Sequence, residues 1–142
     1  MSEATRGYRN LVAWQKALDL ADRVYDLTEH WPPREMYGLT NQARRAAASV
    51  PANIAEGQGR ESLGDFAKFL AIAYGSLCEL ETHLFLAERR SFLNRSALDA
   101  VIAQSDEVAR LVRGLQRSLQ ARAASLRETG PSYDTADDVD DR

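Results

Sequence analysis

Residues 62–87 read SLGDFAKFLAIAYGSLCELETHLFLA. Within this stretch Phe66, Leu70, Ala73, Leu77, Leu80, Leu84 and Ala87 recur at alternating intervals of four and three. That interval places side chains along one side of an α-helix. Ser62 stands immediately before the stripe with Asp65 three residues on, so its hydroxyl is placed to accept the Asp65 amide and start the helix. The side opposite the stripe holds Gly64, Lys68, Ala71, Gly75, Cys78, Thr82 and Leu86, with a single charge among them. A helix that is apolar or small all round is covered all round.

Working outward, three further helices follow from the same periodicity. Upstream, residues 35–56 place Met36, Leu39, Ala43, Ala47, Val50 and Ile54 on one inner face, with Asn41, Arg45, Ala48 and Ala52 on the outer one. Pro51 lies inside this helix and removes one backbone donor, which predicts a kink. Gly57 and Gly59 then close it as a C-cap and turn. Gly57-Gln58-Gly59-Arg60 follows a helix rather than a strand and lacks the lysine of a phosphate loop. Further upstream, residues 10–30 carry two adjacent stripes, Trp14, Ala17, Ala21, Val24 and Thr28 beside Leu11, Leu18 and Tyr25, which predicts a wide buried face. Trp31-Pro32-Pro33 ends that helix. Downstream, a helix opening near Ser96, with Asp99 three residues on, carries Leu98, Val101, Ser105, Val108, Val112, Leu115 and Leu119. No segment alternates with period two over the length of a strand. The expected fold is an all-α, antiparallel up-down four-helix bundle with a kinked second helix, divided as an N-terminal arm over 1–9, the bundle over 10–124 and a disordered acidic tail over 125–142.

The chain has 142 residues, enough for one domain. Its net charge of -3 hides an asymmetry. The stretch from Asp134 to Arg142 holds five aspartates and one arginine, a net -4, which leaves the rest near +1. Such a tail has too little apolar surface to offset its ordering entropy. No apolar run approaches the roughly 18 residues of a membrane span, and the polar first ten residues carry no signal-peptide core. Cys78 is the one cysteine, so no disulfide can form within the chain, and a cytoplasmic location is expected.

The small outer faces of the second and third helices predict that another subunit covers them. Arg45, Ala48 and Ala52 contribute from the second helix, and Ala71, Gly75, Cys78, Thr82 and Leu86 from the third. Alanine as a good helix former explains Ala48 and Ala52 but not a mid-helix glycine at 75. On the fourth helix Arg110, Arg113 and Arg117 share one face, with Asp99 and Asp106 earlier on it, the order that a helix dipole favours on any solvated face.

No catalytic constellation assembles. His30 and His83 are too few for the paired Glu-x-x-His motifs of a di-iron bundle. Glu79 and Glu81 project about 200° apart and cannot work as paired carboxylates. Cys78, with no histidine one turn away, reads as a small buried residue. No enzyme activity, metal, cofactor or small-molecule substrate is expected.

Several words occur in order along the chain: Leu11-Val12-Ala13-Trp14-Gln15-Lys16-Ala17, then Glu35-Met36-Tyr37-Gly38-Leu39-Thr40, then Ser49-Val50-Pro51-Ala52-Asn53-Ile54-Ala55-Glu56-Gly57, then Phe69 to Thr82. With them the stretch from Tyr8 to about Leu119 resembles a family of small bacterial four-helix-bundle proteins, the 23S rRNA-intervening sequence proteins. The resemblance implies a homopentameric barrel without enzymatic activity. Similar proteins called accessory variability determinants, from diversity-generating retroelements, bind a reverse transcriptase and its RNA, so the resemblance extends to RNA or such an enzyme as partner. Candidate phosphate contacts are Arg44, Arg45, Arg60 and Lys68 near the turn between the second and third helices, with Arg110, Arg113 and Arg117 as a second patch. The alternative is a purely structural oligomer, which the near-neutral body favours because phosphate contacts dominate nucleic-acid affinity. Ser49 and Asn53 are placed to satisfy backbone freed by Pro51, and Arg45, Glu79 and Glu81 to form ion pairs within or between subunits.

Overall fold

The computed structural model describes residues 3–129. It is all-helical: α1 spans Val12–Thr28, α2 Leu39–Gln58, α3 Leu63–Arg89 and α4 Arg95–Thr129, and a 3-10 helix, Glu3–Asn10, precedes them. α2 packs on α1 and α3, and α4 packs on α1 and α3, so the four helices surround one core. That core takes Val24 from α1, Val50 and Ile54 from α2, Leu70, Leu77, Leu80 and Leu84 from α3, and Leu98, Val101, Val108 and Val112 from α4, all in the predicted stripes, together with Leu20 of α1, which the stripes leave out.

The ends of the helices obey local chemistry. Ser62 Oγ accepts from the Asp65 amide at 3.0 Å, as the sequence predicts. α4 starts at Arg95 instead of Ser96, because Asn94 Oδ1 accepts from the Ala97 amide at 2.8 Å and takes the capping position. α2 begins at Leu39, four residues later than expected. Pro33–Glu35 forms a 3-10 turn, and Glu35 Oε1 then caps the Leu39 amide at 3.1 Å. Met36 therefore lies outside the helix and is 48% exposed, not on an inner face. α3 stops at a backbone lock. Ser91 adopts φ 64, its amide bonds Glu88 O at 2.9 Å, and the Phe92 amide bonds Ala87 O at 2.9 Å. This is a Schellman motif with serine where glycine is usual.

α2 runs unbroken through Pro51. Asn53 Nδ2 donates to Ser49 O at 2.8 Å and to Ser49 Oγ at 2.9 Å, while Ser49 and Ser76 share a hydroxyl bond at 2.8 Å. The Asn53 amide thus reaches Ser49 rather than Ala47, whose carbonyl loses its donor at proline, and the group works as a polar link from α2 to α3. Gly57 is not a cap either. It is buried inside α2, where a Cβ would stand 2.7 Å from Phe69 Cβ and 3.0 Å from Phe66 Cδ1, so its smallness sets the approach of α2 to α3. Gly59 is the residue at the cap.

Two expectations about exposure change. In the second stripe of α1 Leu11 packs against the core, but Leu18 is 46% and Tyr25 44% exposed. α4 continues to Thr129, five residues past the expected end at 124, since no helix breaker occurs before Gly130-Pro131. The remainder of the acidic tail, 130–142, lies outside the described residues. α3 is also more apolar than the sequence reading allows. An 18-residue window within it reaches a mean hydropathy of 1.2, apolar enough by length and composition to cross a membrane, and a third of that window is buried inside the bundle.

A candidate assembly surface on the second and third helices

Along α3, Ala71, Gly75, Cys78, Thr82 and Leu86 are all exposed, and so are Arg45, Ala48 and Ala52 of α2. Beside them Ile72 is 47% and Phe85 46% exposed, two large apolar side chains that flank the outer face and that the opposite-face count passes over. Gly75 is decisive. A Cβ built there meets nothing within 4 Å, so packing inside this chain gives no reason for glycine. In an exposed helix interior glycine costs about 1 kcal/mol relative to alanine. Cys78 sits on this open face and is exposed, not buried, because it falls three residues past Gly75 on the side away from the core.

A second apolar surface adjoins the first. Tyr8, Trp14, Leu18, Tyr25, Ala48, Pro51 and Ala52 line a groove of 680 Å³ between α1 and α2, with Asp19 and Asp22 at its edge. Sequence periodicity hides this groove by assigning Leu18 and Tyr25 to the core.

The polar residues named from the sequence scatter. Arg45 and Glu79 line one cleft of 590 Å³ with Tyr37 and Ser49, but they form no ion pair, and Glu79 lies 3.5 Å from His83 Nε2 instead. Glu81 turns away toward α4, where Ser105 Oγ donates to its Oε2 at 2.9 Å. Burial pushes the Glu81 carboxyl above its ordinary range; the Ser105 hydrogen bond opposes this and the charge of Asp106 adds to it. Arg44 Nε is committed to Thr28 Oγ1 at 2.8 Å and its guanidinium lies over Tyr25. Arg60 pairs with Glu56 at 2.9 Å over Phe69. Arg113 stacks on Tyr74 with its Cζ 3.5 Å from the ring centroid and donates to Gln116 at 2.8 Å. Arg44 and Arg45 do not join Arg60 and Lys68 at the α2–α3 turn, because Arg45 lies thirteen residues before the end of α2 at Gln58, about 20 Å along the helix. Among the described residues no three of His, Cys, Asp and Glu are grouped to hold a metal ion.

Four helices around one core, with their polar groups spent on caps, cross-links and aromatic stacking, define a small helical-bundle protein. The chain belongs to the 23S rRNA-intervening sequence protein family, whose model matches residues 9–114. It is similar to a protein of unknown function from the S23 ribosomal protein family of Bacteroides thetaiotaomicron, solved by crystallography. The two share 26% identity with a TM-score of 0.69, over 74% of this chain and 98% of that one. No curated protein matches the sequence.

Proposed function

We propose that this protein is a non-enzymatic, homo-oligomeric scaffold, an antiparallel up-down bundle whose α2–α3 face is closed by a second copy. The observation that carries this reading is Gly75, a glycine with open space above it in the middle of an exposed, nearly uncharged helix face. Such a face lets two helix backbones approach closely and is a cost to a lone subunit. Support for the antiparallel order comes from contacts that join the end of one helix to the start of the next: Thr28 at the end of α1 with Arg44 early in α2, and Gly57 near the end of α2 against Phe66 and Phe69 early in α3. Pairing the outer face of α2 with the outer face of α3 on another copy is head-to-tail, a contact that forms a ring where its rotation closes. Five copies is the number that the family resemblance implies, and a cytoplasmic location goes with this reading.

The dispersal of the seven basic residues favours assembly over RNA as the primary role, since three of them are engaged within the chain. Light scattering coupled to size exclusion tests the proposal. The expected result is a discrete oligomer of the 15.8 kDa chain that Gly75→Arg dissociates with helix content retained. A wild-type monomer at micromolar concentration overturns it.

A further inference from the structure

Two stripes of opposite charge are left without partners on the surface. On α1, Asp19, Asp22 and Asp26 are exposed and form no ion pair among the described residues; Arg23 shares their hollow and leaves it net acidic. On α4, Arg110 and Arg117 are exposed and likewise form none, although Asp106 lies one turn before Arg110. Arg113 sits between them, held flat against Tyr74 with its Cζ 3.5 Å from the ring centroid, and the three arginines border a hollow of 360 Å³. Both stripes occupy positions i, i+3 and i+7, so each extends about 10 Å along its helix. Their positions in the bundle match as well. Asp19 and Asp22 border the apolar groove shared by α1 and α2, and the arginines border α3 through Tyr74.

We infer that the aspartate stripe of α1 docks on the arginine stripe of α4 of a second copy of this chain. This rests on the assembly proposed above and adds the element that sets its orientation. Small apolar faces tolerate sliding, whereas a net acidic stripe opposite a net basic one favours one register and disfavours the self-paired arrangement that would place aspartates on aspartates. The surface position of both stripes makes the contact sensitive to salt.

The full-length chain tests this by light scattering at about 50 mM and about 500 mM sodium chloride, which brackets strong and weak screening. Three reversed forms are compared with wild type: Asp19→Lys/Asp22→Lys/Asp26→Lys, Arg110→Glu/Arg117→Glu, and the two sets combined in one chain. Each single set is expected to weaken self-association on the order of tenfold or more at low salt. The combined chain, with its complementarity restored in reverse, is expected to assemble within a few-fold of wild type. Single sets that assemble as tightly as wild type, or a combined chain no better than either, overturn the docking while leaving the oligomer standing. A wild-type chain that stays monomeric at low salt overturns the assembly itself. If a reversed form loses its helical circular dichroism, Asp→Asn and Arg→Gln at the same positions with a wild-type salt titration decide. Assembly that strengthens or stays constant as salt rises counts against the docking. Stoichiometric capture of a structured RNA by the arginines of the assembled wild-type chain also overturns it, because the stripe would then be free.

Discussion

Gly57 and Gly75 invite the same substitution and should answer it in opposite ways. At Gly57 an added methyl collides with Phe69 Cβ at 2.7 Å, a contact between two backbone-anchored atoms that only a shift of α2 from α3 can relieve. Gly57→Ala is expected to lower stability by about 1–3 kcal/mol, the usual range for overpacking, read from urea unfolding. At Gly75 the methyl enters open space, so Gly75→Ala should raise the stability of a dilute, dissociated subunit by up to about 1 kcal/mol while weakening assembly. A Gly75→Ala chain that is both more stable and equally oligomeric would remove the argument from this glycine. Ser91, at φ 64, offers a third test. Left-handed backbone costs a residue with a Cβ roughly 1 kcal/mol, so Ser91→Gly should raise the melting temperature if the Schellman lock is as described. Sequence alone shows two glycines and a serine and does not say which of them faces a neighbour, a void or a strained turn. The spacing assigns Gly57 to a cap, and only the approach of Phe66 and Phe69 reveals its role.

Elements were far more legible. The four-and-three stripes of α3 and α4 transfer to the core almost residue for residue, because burial of that stripe is what stabilises a helix of this length. Caps were legible where one residue type competes alone, as at Ser62, and shifted where a stronger neighbour stood nearby, as Asn94 does before Ser96. Contacts between elements were not legible, and Glu81 shows why. The periodicity separates it from Glu79 but does not place Ser105 opposite it. Its carboxyl is raised above the ordinary value of 4.5, so the ionised form is disfavoured in the folded protein. The contribution of Glu81 to stability is therefore fully present below that value and is lost as pH rises through the higher folded value. Glu81→Gln keeps an acceptor for the Ser105 hydroxyl and carries no charge. Its melting temperature should exceed that of the parent near pH 7, with the difference shrinking toward about pH 4. A constant difference across that window would mean that shape, not charge, governs the site.

At the scale of the whole molecule, the proposed assembly through the small, apolar outer face of α2 and α3 would tie the stability of the fold to its concentration. The melting temperature of the wild-type chain should therefore rise with protein concentration, and that of Gly75→Arg should not. Cys78 gives this face a property of another kind. It is the sole thiol of the chain and sits in the open one turn from Gly75. In the proposed assembly a second copy would shield it, and a released subunit would uncover it. Its rate of alkylation by a maleimide, followed by mass spectrometry, becomes a clock for subunit exchange. Dilution should speed the reaction, and at saturating reagent the rate should level off at the rate at which copies part. Modification that runs at the rate of a free peptide thiol at every concentration would mean the clock has no face to report on.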